Sequence, residues 1–294
     1  MKGLDAHGKF LWGLCYRMTG VAADADDLVQ ETYARALERK PSADSPVEAW
    51  LTQVALNLAR DRLRQRKREA YVGPWLPSPV DLDAADVPSA ETRYEALESV
   101  GIGFLLALEA LTPNQRAVLL LREVFDHSVA DTAAALRLSE PTVKTTLHRA
   151  RKVMAGYDKH RVPFTPEIQQ RTRVALESFF AALATNDLDA LTRLVRDDVC
   201  ALNDGAGQYF AARVPLHGRD RVLLFNRRLL QLRGLPQRLE VRHFNGLPCF
   251  LVTFAHSANR EPPRALISAG LDPNGLIHSI FTVVADAKLT HVPF

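Results

Sequence analysis

The spacing of apolar residues changes after about residue 165, and this change limits what the chain can fold into. Before it, successive stretches carry apolar side chains every three to four residues, as amphipathic helices do. After it, two more helical stretches precede short β-branched and aromatic runs that are punctuated by Gly, Pro and Asn. Helices followed by a meander of strands predict all-α helical domains and then an α+β domain.

The length, composition and cysteine content of the chain exclude several classes of protein. Its 294 residues are 47% apolar and 24% charged, which suits two or three domains with ordinary cores. No apolar run approaches the ~18 residues that cross a bilayer, and the N-terminus lacks the apolar core of a signal peptide. The three cysteines are far apart and offer neither a disulfide framework nor zinc spacing. We therefore expect a cytoplasmic protein without metal, cofactor or membrane partner.

The helical patterns divide the chain into four segments. We predict helical blocks at residues 1–70 and 93–160, a linker at 71–92 between them, and the α+β domain at 165–294. Asp24, Thr112 and Ser139 are predicted N-caps, because each precedes a helical stretch. Two short helices around the break at Ser139 have the spacing of a helix-turn-helix.

The second helix of this motif combines an apolar back with a polar front. Its predicted apolar stripe is Val143, Leu147, Ala150 and Val153. Its polar positions are Glu140, Thr142, Lys144, Thr145, His148, Arg149, Arg151 and Lys152. Such a helix can enter a DNA major groove, with Arg151 and Lys152 on the phosphate backbone. The alternative is a surface helix whose C-terminal cations match the helix dipole.

A second cationic stretch is RDRLRQRKR, residues 60–68. Because the net charge is only +3, nucleic-acid binding needs a local cluster of this kind. The same helix carries an aromatic and two amides upstream, and such a surface beside cations suits melted single-stranded DNA. The predicted contacts are Trp50, Gln53, Asn57, Arg60 and Arg64. A solvated helix end is the alternative.

A third feature is the acidic stretch DADDLVQET. Asp24, Asp26, Asp27 and Glu31 would form an acidic patch beside exposed Leu28 and Gln30. Such a patch does not suit phosphate, so it is more naturally a docking face for a basic protein partner. The alternative is a helix start whose acids only match the dipole.

Together these stretches resemble the extracytoplasmic-function group of bacterial sigma factors, through about residue 155. LWGLCYRMTGVAADADDLVQETYARAL resembles the part of region 2 that binds the polymerase β′ clamp helices, and AWLTQVALNLARDRLR the part that reads the minus-ten element. LTPNQRAVLLLREVFDHSVADTAAALRLSEPTVKTTLHRARKVM resembles region 4, which reads the minus-thirty-five element. The resemblance implies core RNA polymerase, including its β flap, and promoter DNA as partners. It places Asp24, Asp27, Leu28, Gln30 and Glu31 on the polymerase.

The linker stretch YVGPWLPSPV is apolar and rich in proline, which is unusual for a connector. WLPSP resembles the WLPEP-type signature of sigma factors with a SnoaL-like (nuclear transport factor 2-like) C-terminal extension. NDGAG at 203–207 and ADAKL at 285–289 resemble the DGGG-type and NPDKL-type motifs of that extension. This chain departs from the motifs at Ser78, Ala206, Ala285 and Ala287. The resemblance implies a cone-like α+β fold with a pocket.

We expect the linker to dock on this extension. Its prolines hold the linker near the polyproline II conformation, so it loses little conformational entropy when it docks. Trp75 and Leu76 can then fill an apolar recess on the extension. Gly205 and Gly207 would let their loop approach the linker backbone. The full predicted contact set is Tyr71, Trp75, Leu76, Pro77, Asp204, Gly205, Gly207, Lys288 and Leu289. Docking would fix the spacing of regions 2 and 4 and so modulate activity. The alternative is that Trp75 packs on its own helical blocks.

The rival reading is a SnoaL-type small-molecule enzyme or ligand sensor with a helical DNA-binding appendage. Catalysis needs an acid or base in the pocket, and the candidates are Asp204, His217, His243, His256 and His278. No pair among them has diagnostic spacing, so we expect an initiation factor without catalytic residues, and a small ligand in the pocket. A plain helix-turn-helix regulator is a third reading, but it would not need the acidic patch.

Overall fold

The computed structural model describes residues 7–38, 47–68, 71–81, 98–162, 164–255 and 260–294. The chain divides into two compact units, residues 1–70 with 82–161, and residues 71–81 with 162–294. The first half of the predicted linker therefore belongs to the C-terminal unit. Its second half, and the predicted start of the second helical block, lie outside the described residues. None of the helices described is long and apolar enough to cross a membrane.

The N-terminal unit is helical throughout its described elements. These are α1 (Gly8–Thr19), α2 (Ala22–Glu38), α3 (Val47–Arg68), a 3₁₀ turn (Glu98–Val100), α4 (Ile102–Leu108), α5 (Pro113–Glu123), α6 (Val129–Leu136) and α7 (Glu140–His160). The predicted caps at Thr112 and Ser139 are confirmed, since their side chains accept from Gln115 N and Thr142 N. The predicted cap at Asp24 is wrong, because α2 begins two residues earlier, at Ala22, and Asp24 lies in its first turn.

The helix-turn-helix consists of α6 and α7. Arg137 ends α6 in the left-handed conformation, with φ at 53°, and turns the chain toward Ser139. The buried residues of α7 are Val143, Leu147, Ala150 and Met154. Val153 is 43% exposed, so the predicted stripe is wrong at its last position. A period of 3.6 residues per turn carries the apolar face from Ala150 to Met154 instead.

In its described residues, the C-terminal unit has three helices against one six-stranded sheet. Its elements are α8 (Pro166–Thr185), α9 (Leu188–Leu194), β1 (Val195–Asp204), β2 (Leu216–His217), α10 (Arg219–Arg233), β3 (Arg238–Phe244), β4 (Leu247–Thr253), β5 (Arg264–Leu271), β6 (Ile277–Val283) and a 3₁₀ turn (Asp286–Lys288). The strand order is β2-β1-β6-β5-β4-β3, with β1 and β6 parallel and the other neighbours antiparallel. The predicted fold class, helical regions followed by an α+β domain, is confirmed.

The last two residues of β1, Asn203 and Asp204, place their side chains on opposite faces of this sheet. Asn203 pairs in register with Thr282 of β6, and Asp204 pairs with Val283. Because side chains alternate along a strand, Asn203 and Asp204 point to opposite sides. Both sides are buried at this point, since Asn203 is 6% exposed and Asp204 is fully buried. One strand end therefore supplies a polar group to each side of the sheet.

Candidate functional site

All eight residues predicted to contact the minus-thirty-five element lie exposed on α7. Within the described part of the chain, no hydrogen bond or ion pair engages Lys144, Arg149 or Lys152. Arg151 differs, because it pairs with Glu123, which is only 5% exposed. The outward face of α7 is thus a cationic surface with three uncommitted positive charges, while Arg151 is held by its own domain.

The predicted minus-ten residues lie on α3, and two of them contact the second helical block. Gln53 Nε2 donates to the Ala134 carbonyl at 3.3 Å, and its Oε1 accepts from Arg137 at 3.2 Å. Arg60 donates to Asn114 Oδ1 at 3.1 Å and also to Asn57. The other two predicted residues are Trp50, which is half-buried, and Arg64, which pairs with Asp61. The surface predicted for single-stranded DNA is therefore partly occupied by the helix-turn-helix.

The acidic helix α2 presents a different face from the one predicted. Leu28 is 4% exposed, so its predicted exposure is wrong; it packs inward on the face that also buries Ala25. Asp24 pairs with Arg62 at 2.5 Å, and burial raises the pKa of its carboxyl while Arg62 opposes the shift. The exposed residues of α2 are Asp27, Gln30, Glu31, Ala34, Arg35, Leu37 and Glu38. Arg35 pairs with Glu31 at 2.8 Å. Ala34 and Leu37 were not among the predicted residues, although their spacing from Gln30 and Glu31 indicates one face.

A buried arginine joins the two sigma-like blocks inside the N-terminal unit. Arg116 of α5 is 3% exposed and donates to the carbonyls of Met18 and Leu108 at 2.7 and 2.6 Å. It also donates to Glu109 at 2.8 Å, and burial lowers the pKa of its guanidinium. Arg66 of α3 binds both oxygens of the same Glu109 at 2.7 Å. One carboxylate thus holds two cations, one from each block.

Arg17 of α1 makes a second contact between the two helical blocks. It is 1% exposed, donates to Ser99 Oγ at 2.9 Å and lies 5.4 Å from the centre of the Phe125 ring. Burial lowers the pKa of its guanidinium to about 10. Nothing in the sequence singled out Arg17 or Arg116. The only signal is a cation inside an apolar helical stretch, FLWGLCYRM, where it must find partners.

In the C-terminal unit a buried carboxylate holds the linker. Asp204 accepts hydrogen bonds from the Leu76 N–H at 2.7 Å, the Tyr71 hydroxyl at 2.5 Å and the Ala206 N–H at 3.1 Å. Lys288, only 4% exposed, lies 2.5 Å from the same carboxylate and donates to the Leu76 carbonyl. Both backbone polar groups of Leu76 are therefore satisfied by one buried ion pair. We call Asp204 and Lys288 the linker clamp.

Further along the linker, the backbone of Val80 is held by hydrogen bonds to Asn245. The Asn245 N–H donates to the Val80 carbonyl at 2.9 Å, and its side-chain oxygen accepts from the Val80 N–H at 3.3 Å. Leu76 and Val80 are 0% and 2% exposed, and Pro77 between them is buried. The linker is thus fixed at two points by hydrogen bonds to its backbone, which is how an added strand is usually held.

Trp75 does not behave as predicted. Its ring is half-exposed and faces the ammonium of Lys288, which lies 4.6 Å from the ring centre and 4.8 Å from that of Tyr71. Leu76 is the residue that is fully buried. The two aromatic rings stabilise the clamp through cation–π contacts rather than by filling an apolar recess. Leu289, the last predicted member of the contact set, is 1% exposed.

The 203–207 loop approaches the linker through one of its two glycines. Gly207 has φ at +72°, and a Cβ there would lie 3.1 Å from Cβ of Val72. A Cβ at Gly205 would instead meet Ala211 and Tyr209 of its own loop at 3.0 Å, so the predicted linker contact is wrong for Gly205. Ala206 has φ at 47°, a left-handed conformation that costs about 1–2 kcal/mol for a residue with a Cβ. This is the position where the resembling motif carries glycine.

A cavity of about 340 Å³ lies between the sheet and helices α8 and α10. The proposed acid or base candidates do not line it. Asp204 is committed to the clamp, and His217, His243 and His278 are exposed on the surface. His256 lies outside the described residues. In the described part of the chain, Arg233 is the only ionisable residue of the lining, so no carboxylate or imidazole is in place for acid–base chemistry.

Comparison with known proteins matches both helical blocks to one family. Residues 4–69 match the model of Sigma-70 region 2, and residues 103–154 match Sigma-70, region 4. The chain is 33% identical over 234 residues to the ECF RNA polymerase sigma factor SigJ of Mycobacterium tuberculosis strain H37Rv, covering 78% of this chain and 73% of that one. It is 34% identical over 208 residues to SigG of M. tuberculosis strain CDC 1551, covering 61% of this chain and 54% of SigG.

A solved structure extends the likeness through the C-terminal unit. The crystal structure of M. tuberculosis SigJ matches with a TM-score of 0.75 at 27% identity, covering 98% of this chain and 97% of that chain. The likeness thus includes the SnoaL-like domain as well as both sigma regions. From the sequence match to SigJ and the two region matches, the chain belongs to the extracytoplasmic-function sigma factors of RNA polymerase, in the group with a SnoaL-like C-terminal domain.

Proposed function

We propose that this sigma factor, which directs promoter-specific transcription initiation, rests in a closed state in which regions 2 and 4 touch, and that the linker clamp governs their separation. One contact supports this above all: the buried pair Asp204–Lys288 satisfies both backbone groups of Leu76. A linker held in this way has one fixed path. Its release frees the chain that joins the two promoter-reading regions.

The spacing of the promoter elements requires the two regions to separate. Minus-ten and minus-thirty-five elements lie about 25 base pairs apart, which is about 85 Å along B-DNA at ~3.4 Å per base pair. Gln53 of region 2 lies 3.3 Å from the Ala134 carbonyl of region 4. Both elements cannot be read while this contact persists. The closed state is therefore incompatible with promoter binding.

The docked part of the linker supports a role for the clamp. Docking fixes the path of residues 71–81, which are half of the predicted linker 71–92, through hydrogen bonds at Leu76 and Val80. A fully extended chain of 22 residues spans at most about 75 Å at ~3.4 Å per residue, which is close to the ~85 Å between the promoter elements. Regions 2 and 4 therefore need nearly the whole linker extended to reach both elements, and docking restricts that extension.

The remaining contacts follow from exposed surfaces. The exposed face of α2 carries Asp27, Gln30 and Glu31, and Leu37 is 63% exposed further along the same helix. A largely acidic surface with one exposed apolar residue suits the β′ clamp helices. The cationic face of α7 suits the minus-thirty-five duplex, and region 4 would also meet the β flap. Because these partners act in the cytoplasm, we propose that the protein acts there as well. We also propose a small-molecule site in the cavity of the SnoaL-like domain.

A reversible cross-link tests whether the closed state must open. In a Gln53→Cys, Arg137→Cys protein, a bismaleimide with a disulfide in its spacer should trap the closed contact, because these side chains are 3.2 Å apart. Cys200 is replaced by Ser. Cys15 and Cys249 can stay, since burial raises the pKa of each thiol to about 12 and so keeps it unreactive. The cross-linked protein should yield no run-off transcript above background with core polymerase, and reduction should restore it.

Each single-cysteine variant, treated with the same reagent, shows the effect of modification alone, since Gln53 belongs to the predicted minus-ten contacts. After reduction, the cross-linked protein should transcribe at a level close to that of the less active of these two variants. If the cross-linked protein initiates as well as its reduced form, regions 2 and 4 do not need to separate and the proposal is wrong.

The cationic face of α7 gives a prediction about DNA. Arg149→Ala should weaken binding to a minus-thirty-five duplex by about 1–3 kcal/mol if it contacts a base, or lower the salt slope by about 0.9 if it contacts one phosphate. Lys159→Ala removes an exposed cation from the end of the same helix, outside the predicted contact set, and should change neither. Fluorescence anisotropy over a salt series measures both. Equal losses in the two variants would mean that α7 contributes only net charge.

A further inference from the structure

The cavity of the SnoaL-like domain has the size and lining of a small-molecule site. Its volume of about 340 Å³ lies at the lower end of the ~300–1,000 Å³ typical of such pockets. Its wall is largely apolar and includes Phe180 and Leu183 of α8, Leu229 of α10 and Ile267 of β5. An apolar cavity of this size favours ligands that remove apolar surface from water.

One polar group in the wall has no hydrogen-bond partner among the described residues. Asn203 lines the cavity and is 6% exposed, and its Nδ2 makes no hydrogen bond to any described residue. Thr282, its register partner on β6, lines the same wall. A buried amide donor left unpaired costs about 1–3 kcal/mol, so a ligand that offers an acceptor recovers that energy. Asn203 therefore selects for a hydrogen-bond acceptor.

The charge of the ligand follows from Arg233, the ionisable residue of the wall. Its guanidinium is already engaged, because it pairs with Glu261 at 2.6 Å and donates to the Pro262 carbonyl at 2.7 Å. It also stacks on Phe254, 4.3 Å from the ring centre. Since its positive charge is balanced by a carboxylate, the described lining offers no uncompensated cation to an anionic ligand. A neutral ligand fits better than a carboxylate or phosphate.

We infer that the cavity binds a neutral, largely apolar molecule with one carbonyl-type acceptor, and that Asn203 Nδ2 donates the hydrogen bond to it. This inference rests on the small-molecule site proposed above and adds the chemical class of its ligand. Asn203 is a binding residue with no catalytic role, because no acid or base accompanies it in the described lining.

Two matched probes test the class of ligand. 9-Fluorenone and fluorene share one tricyclic carbon skeleton and differ in a carbonyl against a methylene group. Titrated into the full-length protein, both should bind, and Asn203→Leu should weaken fluorenone by roughly three- to tenfold, the value of one neutral hydrogen bond. The affinity for fluorene should not fall in that variant. A lowered carbonyl stretching frequency of bound fluorenone, relative to a hexane solution, reports the same hydrogen bond in the wild-type protein.

Two substitutions on α10 locate the binding. Leu229→Trp fills the cavity and should abolish the binding of both probes. Leu224→Trp places the same ring on the exposed side of that helix, where Leu224 is 46% exposed, and should leave binding intact. If neither probe binds the wild type, the small-molecule site itself is wrong. If both bind, but Asn203→Leu changes neither and the carbonyl frequency is unshifted, the site stands and the assigned ligand class is overturned. Binding that persists in Leu229→Trp places the probes elsewhere and overturns both.

Discussion

Lys288→Met should lower the free energy of unfolding of the C-terminal unit by about 3–5 kcal/mol, the usual loss when one partner of a buried ion pair is removed. The side chains of Asp204 and Lys288 are 0% and 6% exposed, so water cannot replace the missing ammonium. The variant also leaves the Leu76 carbonyl without its donor and removes the cation from between the Tyr71 and Trp75 rings. Urea unfolding followed by circular dichroism measures the loss. Cleavage of the linker by a protease under native conditions should become faster.

The double variant Asp204→Leu, Lys288→Met is the matched control. It removes both charges, so no uncompensated carboxylate remains in the interior, and apolar replacements of buried pairs are often neutral. We expect it to recover most of the stability lost in Lys288→Met, while its linker stays cleavable because Leu76 has lost both partners. A double variant as unstable as the single one would mean that packing, rather than charge, dominates at the clamp. An uncleaved linker in both variants would mean that the clamp does not hold it.

Local features of this fold were predictable from the sequence. The caps at Thr112 and Ser139 depend on residues three positions away, and the exposed face of α7 follows from its own periodicity. The failures at Asp24 and Val153 are shifts of one or two residues along a correctly predicted helix. Such errors arise because helix ends and faces are settled by packing, which a single periodic pattern does not specify.

The clamp could be predicted only in part. The resemblance of NDGAG and ADAKL to known motifs pointed to Asp204 and Lys288, but not to their pairing, since they lie 84 positions apart. It also suggested an apolar recess for Trp75, whereas the ring faces a buried ammonium. A motif identifies the charged residues, but their pairing depends on which of them the tertiary structure buries, since a buried charge needs a partner.

Contacts between the two sigma regions were not predictable. Leu28 reads as a surface residue beside four acids, yet it packs inside the bundle. Arg17 and Arg116 belong to no motif, and their partners lie 82 and 98 positions away. The packing of region 2 on region 4 brings Arg17 to Ser99 and Arg116 to the Met18 carbonyl. The closed state is a property of tertiary structure that neither region encodes alone.

Arg116→Met should weaken that closed state by about 1.5–3 kcal/mol, the usual contribution of one hydrogen bond from a charged donor. Of the hydrogen bonds that the substitution removes, the one to the Met18 carbonyl joins region 4 to region 2, whereas those to Leu108 and Glu109 lie within region 4. Glu109 keeps Arg66, so its own contact with region 2 persists. A shift of this size changes the ratio of closed to open molecules by roughly 10- to 150-fold.

The cross-linking pair Gln53→Cys, Arg137→Cys reports this shift directly, because the bismaleimide captures only molecules in which the two regions touch. Its rate of cross-linking should fall in the Arg116→Met background. Asn114→Ala is the matched control on the same helix, since it removes one exposed hydrogen bond to Arg60, worth about 0.5–1.5 kcal/mol at most, and should slow the reaction far less. If Arg116→Met lowers the stability to urea but leaves the cross-linking rate unchanged, Arg116 supports region 4 alone, and the closed state is held elsewhere.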